Sequence, residues 1–160
     1  MANHKRVTSD ELSAIRREAH ANGQTIVFTN GCFDLLHAGH VQLLQQARQL
    51  GDLLIVAINT DRSIRHLKGM GRPIVGEDDR AFVLSALACV DYVILFDTDT
   101  PIPLLHLLKP DVLVKGGQYR HDQVVGWEIV EAYGGRVETI QMRDGLSTTE
   151  MVRRIRQGLA

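Results

Sequence analysis

The chain is poor in the residues that mark secreted, fibrous or membrane proteins. Its 160 residues include 2 cysteines, 4 prolines and 1 tryptophan, and aromatic residues make up only 5%. Cys32 and Cys89 build no disulfide framework and suit a reducing compartment. So few prolines, with no Gly-X-Y period, exclude a collagen-like chain. Neither sign of charge is in excess, since Lys plus Arg number 18 against 19 for Asp plus Glu. That balance gives no basic pull toward nucleic acid and no acidic tail of the disordered kind. Long apolar runs are missing too: the run over 53–58 falls far short of the roughly 20 residues that span a bilayer. The opening stretch Met1-Ala2-Asn3-His4-Lys5-Arg6 leads into charged sequence, without an apolar segment of signal-peptide type. The expected location is the cytoplasm, with neither membrane nor nucleic acid among the partners.

What is present is an ordinary globular composition, 44% hydrophobic and 23% charged. The length fits one domain over 1–160, with a lead-in over 1–23 and a core over 24–160. Thr8-Ser9-Asp10-Glu11 has capping-box form, and Leu12, Ile15 and Ala19 share one face, so a helix is predicted over 9–21. β-rich runs predict strands at 25–29, 53–59, 92–96, 112–115 and 136–140. Helical patterns lie between and after them, at about 41–50, 61–67, 78–88, 101–108, 123–133 and 147–157. Strands alternating with helices imply right-handed crossovers and a parallel sheet. The expected fold is α/β, a single-domain Rossmann-like, doubly wound five-stranded parallel sheet in the order 3-2-1-4-5 with helices on both faces. In that order the helices after strands one and four leave toward opposite faces, and ligands bind in the crevice between them.

After the first strand come Thr29-Asn30-Gly31-Cys32-Phe33-Asp34-Leu35-Leu36-His37-Ala38-Gly39-His40, then a helix. Glycine lets a backbone approach a ligand closely, and a helix start offers unpaired N–H groups and a partial positive charge suited to phosphate. His37 and His40, three apart at that start, can project together. A second reading makes Cys32, His37 and His40 zinc ligands, although no further Cys/His cluster completes a structural site. The plainest reading leaves both histidines as surface or capping residues.

His37-Ala38-Gly39-His40 resembles the HxGH signature of the nucleotidyltransferase superfamily. The resemblance continues through Asn59-Thr60-Asp61, Leu67-Lys68-Gly69, Gly71-Arg72-Pro73, Arg80, Lys109-Pro110-Asp111, Val114-Lys115-Gly116-Gly117 and Asp144-Gly145-Leu146-Ser147-Thr148-Thr149. Over about 24–157 the chain is similar to one branch, the ADP-heptose synthases, in the adenylyltransferase half of the bifunctional kinase/adenylyltransferase. No sugar-kinase domain stands before Met1, so the expected form is stand-alone, with the heptose kinase supplied by a separate protein and a homo-oligomeric state.

The resemblance implies transfer of AMP from ATP to D-glycero-D-manno-heptose 1-phosphate, giving ADP-heptose and pyrophosphate for surface-glycan synthesis. His37, His40 and Lys68 take the catalytic roles, the histidines on the nucleotide phosphates and Lys68 between the acceptor phosphate and the α-phosphate. Thr29, Asn30, Gly31, Cys32, Phe33, Gly39, Lys115, Gly116, Gly117, Ser147 and Thr148 bind nucleotide. Asp34, Lys68, Arg72 and Arg80 face the sugar phosphate. Each has a plainer reading: Asp34 as a turn residue, Lys68 as a solvated loop lysine, Arg80 as a salt-bridge partner, Gly116-Gly117 as a turn, Ser147 as a helix cap. Mg2+ accompanies ATP, with phosphate oxygens and water as its ligands and no protein residue named.

The rival readings are a cytidylyltransferase acting on a small polyol or amino-alcohol phosphate, and a non-enzymatic nucleotide-binding module. A dehydrogenase is disfavoured because Gly69-x-Gly71 does not continue as G-x-G-x-x-G between a strand and a helix.

Overall fold

Thr8 opens the first long helix, α1 (Ser9–Ala21), with the reciprocal bonds the sequence predicts. Glu11 N donates to Thr8 Oγ1 at 3.3 Å, and Thr8 N donates to Glu11 Oε2 at 2.7 Å. In the computed structural model, which describes residues 2–141 and 147–158, five strands follow. They are β1 (Ile26–Gly31), β2 (Leu53–Asn59), β3 (Tyr92–Phe96), β4 (Val112–Gly116) and β5 (Arg136–Ile140). They form one sheet in the order β3-β2-β1-β4-β5, every pairing parallel. The order is the predicted one.

The intervening helices are α2 (Ala38–Arg48), α3 (Asp61–Lys68), α4 (Glu77–Ser85), α5 (Ile102–Leu108) and α6 (Trp127–Ala132), and α7 (Thr148–Arg156) follows β5. Alternate strand residues feed two cores. Val27, Val56, Val112 and Val114 pack with Leu43, Leu44, Ala47, Ala81 and Leu84 of α2 and α4. Phe28, Ile55, Ile94 and Leu113 pack on the other face with Leu12, Leu104, Leu105, Leu108 and Val130. Both faces being covered explains why β1, β2 and β4 read as near-continuous apolar runs.

Three details depart from expectation. The helix expected over 78–88 is Glu77–Ser85, because its last turn closes on itself: Ala86 N donates to Phe82 O and Val83 O. Beyond it, Leu87 O and Val90 O accept from Lys5 Nζ at 3.0 and 2.6 Å. The helix expected over 123–133 is split into a 3-10 turn at His121–Gln123 and the short α6. Gly126 separates them at φ +92, where a Cβ would stand 2.1 Å from Leu105 Cδ1. The segment before α1, assigned no structure from sequence, forms a 3-10 turn at Ala2–Lys5 and a parallel bridge from Arg6 to Val93. That bridge covers the exposed edge of β3.

Candidate active site

β1 and β4 are neighbours, and the chain leaves them toward opposite faces, so their carboxyl ends open a crevice. Leaving β1, the backbone passes through Phe33 at φ +46, a left-handed conformation uncommon for a non-glycine residue. This turn buries the Phe33 ring and directs the chain into α2. His37 is the residue before α2 and His40 lies in its first turn. Their rings stack, with centroids 3.8 Å apart and planes inclined by 22°, and Phe33 lies 5.1 Å from His40 on its other flank.

Three buried polar atoms here lack hydrogen-bond partners: Thr29 Oγ1, His37 Nδ1 and His40 Nδ1. Leaving such an atom unsatisfied costs about 1–3 kcal/mol, so these atoms are offered to water or to a polar ligand. Burial lowers the His37 pKa. Burial, reinforced by His37 and Lys68, pushes His40 down to about 4. Both imidazoles are therefore neutral at pH 7 and act as N–H donors rather than as cations. Lys115, at the end of β4, is also lowered by burial, and its Nζ donates to Asn30 O at 3.4 Å.

Two cavities meet at this point. The first, about 420 Å³, is bounded by Asn59, Leu67, Asp99, Thr100, Pro101, Gln123, Val124 and Val125. The second, about 260 Å³, is bounded by Phe33, His40, Leu43 and Gly116. Asn30, Gly31, Cys32, Lys68, Lys115 and Tyr119 line both. The common wall thus carries two lysines and the backbone leaving β1.

The structure gathers Asn30, Gly31, Cys32, Phe33, His40, Lys68, Lys115 and Gly116 around this wall, with His37 stacked behind His40. Gly39 is buried in the first turn of α2. Thr29 is buried, and Gly117 follows β4 at φ +129. Ser147 and Thr148 do not line either cavity among the described residues; they stand at the start of α7, where Ser147 Oγ accepts from Glu150 N at 3.1 Å as a helix cap. Asp144, Gly145 and Leu146 lie outside the described residues.

Three of the four residues expected to face the sugar phosphate, Asp34, Arg72 and Arg80, are engaged within the protein. Arg72 pairs with Asp34. Arg80 is buried, contrary to an anion-binding role: Nε donates to Val75 O, Nη1 to Cys32 O, and Nη2 to Asn59 O and Asp61 Oδ1. Its guanidinium ties together the ends of β1 and β2 and the starts of α3 and α4. Asp99, Thr100, Tyr119 and Gln123 were not singled out from sequence, and Asn59 entered only through the resemblance, without a site role. Strand-end position alone would have found Asn59, whereas the other four sit in connections whose approach to the crevice depends on the fold.

Among the described residues, no group of three or more His, Cys, Asp or Glu could hold a metal ion, which leaves the zinc reading of Cys32, His37 and His40 without a site. No helix among them is long and apolar enough to cross a membrane.

The cytidylyltransferase-like family matches residues 28–156. The chain is 56% identical over 149 residues to "Bifunctional protein HldE" of Geotalea uraniireducens, a match covering 93% of this chain and 30% of that protein. It is 59% identical over 146 residues to the protein of the same name from Syntrophotalea carbinolica, covering 91% of this chain and 29% of that one. The chain thus spans about 30% of the length of these curated relatives. A solved lipopolysaccharide core biosynthesis protein from Thermoplasma volcanium superposes with a TM-score of 0.62 at 27% identity, over 76% of this chain and 98% of that one. With the doubly wound sheet and the HxGH turn at its crevice, these matches place the chain in the cytidylyltransferase-like family of nucleotidyltransferases.

Proposed function

We propose that this domain transfers AMP from ATP to D-glycero-D-manno-heptose 1-phosphate, releasing pyrophosphate. The observation that carries this reading is the common wall of the two cavities. A transfer between two phosphates needs both substrates to meet at one cationic point, and Lys68 and Lys115 lie where the cavities join. The ATP phosphates take the side of Phe33, His40 and the α2 N-terminus, and the acceptor takes the larger cavity. The similarity to relatives named HldE and to a lipopolysaccharide core biosynthesis protein supports a surface-glycan precursor as product.

In the step itself, a non-bridging oxygen of the acceptor phosphate attacks the α-phosphorus. The bond from that phosphorus to the β-phosphate oxygen breaks, and pyrophosphate leaves with the electron pair. The acceptor phosphate is already largely ionised at pH 7, since its second pKa is about 6, so no protein base is required. What the chain supplies is positioning and charge stabilisation. Neutral His37 and His40 donate hydrogen bonds to phosphate oxygens. Lys68, at the end of α3 and exposed, bridges the two reacting phosphates; Lys115 anchors the α-phosphate from the floor. Mg2+ enters as part of the MgATP substrate, held by phosphate oxygens and water.

The test is pyrophosphate release with each of the four nucleoside triphosphates, paired with the two anomers of heptose 1-phosphate and with glycerol 3-phosphate. Release confined to ATP with a heptose 1-phosphate is the expected result and identifies the anomer. Release with CTP and glycerol 3-phosphate makes the chain a cytidylyltransferase. ATP binding without release from any pair makes it a binding module.

A further inference from the structure

Tyr119 has no part in the chemistry described above, yet its side chain borders both cavities and is half exposed. Its ring is seated against the main chain of Gly117. A Cβ at Gly117 would stand 2.8 Å from Tyr119 Cε2 and 3.0 Å from Cδ2, so a side chain there would displace the ring. Gly117 also holds φ +129, and its N–H donates to Ile140 O at 2.9 Å, anchoring the turn to β5. One side of the ring thus lies against backbone, while the ring still borders open cavity. Around that opening the larger cavity carries polar side chains from three different segments, Asn59, Asp99 and Thr100, and Gln123, with the cationic pair Lys68 and Lys115 at its inner end.

We propose that Tyr119 determines acceptor specificity by stacking on the sugar ring, and that Gly117 sets its pose. The inference rests on the reading of the domain as a sugar 1-phosphate nucleotidyltransferase. A pyranose presents an apolar face of C–H bonds and a rim of hydroxyls. An aromatic ring backed by main chain beside a polar rim matches that shape, as is usual of pockets that orient a ligand with a few polar groups on an apolar wall. An acyclic polyol phosphate has no such face to offer. In the functional reading above the ATP phosphates take the smaller cavity, beside His40 and Phe33, which assigns the larger one, with Tyr119 at its border, to the acceptor.

The experiment compares Tyr119→Phe, Tyr119→Ala, Gly117→Ala and the double variant Gly117→Ala/Tyr119→Ala. Steady-state kinetics give kcat and KM for the sugar 1-phosphate, calorimetry gives the Kd for ATP, and circular dichroism confirms folding. Tyr119→Ala is expected to raise the acceptor KM about tenfold, the upper range of an aromatic contact, with the ATP Kd within about twofold of wild type. Tyr119→Phe, which keeps the ring, restores the acceptor KM. Gly117→Ala raises the acceptor KM more in the wild-type background than once the Tyr119 ring is gone, where only the strain of a side chain at φ +129 remains. Relative turnover of glycerol 3-phosphate rises in Tyr119→Ala.

An ATP Kd that weakens while the acceptor KM stays put overturns the assignment and makes Tyr119 a base platform. An unchanged KM and Kd overturns it outright. A Gly117→Ala effect undiminished in the Tyr119→Ala background overturns the seating argument. Wild-type protein that turns over only glycerol 3-phosphate overturns the functional reading itself and the sugar assignment with it. Wild-type activity on the sugar phosphate with an indifferent Tyr119→Ala overturns the Tyr119 assignment alone.

Discussion

Asp34 and Arg72 form an ion pair at the exit of β1, with Arg72 Nη1 donating to Asp34 Oδ2 at 2.6 Å and side chains only 5% and 14% exposed respectively. The other carboxylate oxygen accepts from Ile74 N at 2.8 Å and Val75 N at 2.9 Å. Asp34 is therefore the fastening by which the loop before α4 is held beside the phosphate turn. Removing it strands a buried cation and two amides at once. Asp34→Ala is expected to lower unfolding free energy by about 3–5 kcal/mol, the cost of breaking a buried pair from one side. Urea unfolding measures this. Loss below about 1 kcal/mol would show that the loop re-solvates its amides and that the pair contributes little.

Arg80 is fixed more completely, by three carbonyls and Asp61. A lysine keeps the charge but offers a compact ammonium where a planar fork now spans four acceptors. Arg80→Lys should therefore cost about 2–4 kcal/mol, nearly as much as removal, because several buried acceptors lose their partners. A thermal midpoint close to wild type would mean the lysine reaches the same carbonyls.

Arg80 also shows where sequence reading stops. The strands were legible because a parallel sheet covered on both faces writes itself as apolar runs, as in β2 and β3, while the partly exposed β5 shows itself by its β-branched Val137, Thr139 and Ile140; all three fall on the predicted residues. The Thr8–Glu11 cap was legible because its partners are three residues apart. The crevice followed from strand order alone. Arg80 was not, because its partners Cys32, Asn59 and Asp61 lie 48, 21 and 19 residues away and nothing local distinguishes it from a surface arginine. Asp99 and Tyr119 escaped for the same reason: only the folded chain brings the connections after β3 and β4 to one cavity.

His40 makes the stability of the ligand-free protein depend on pH. Its pKa is ordinarily near 6.5 and falls to about 4 in the fold, so between these values the unfolded chain binds a proton that the folded one refuses. Stability is retained above pH 6.5 and is lost as pH falls toward 4. Part of the ring remains accessible to solvent, so the loss between pH 7.5 and 5.0 should be about 1–2 kcal/mol from this group. Urea unfolding of wild type and His40→Gln at the two pH values isolates it. The variant should lose less stability on acidification by that amount, whereas parallel losses would show that His40 is not the group responsible.

Lys115 gives the sharpest separation of stability from function. Its side chain is half-buried at the end of β4, with burial the main influence lowering its pKa, Cys32 opposing the depression and Lys68 adding to it. Its one hydrogen bond within the described protein is a long one to Asn30 O. A buried cation without an anionic partner destabilises the free protein, and persists where a ligand supplies the missing charge. Lys115→Met keeps the apolar stem and removes the charge. It should raise unfolding free energy by about 1 kcal/mol, as expected where a site is held in a destabilised state for activity. The same change should weaken ATP binding at least tenfold and lower kcat by about 10²–10³. Saturating ATP should reverse the order of stabilities, since a tenfold tighter Kd gives the wild type about 1.4 kcal/mol more than the variant, which exceeds the roughly 1 kcal/mol the variant gains unliganded. A variant both less stable and fully active would make Lys115 a structural residue, and would move the meeting point of the two phosphates to Lys68 alone.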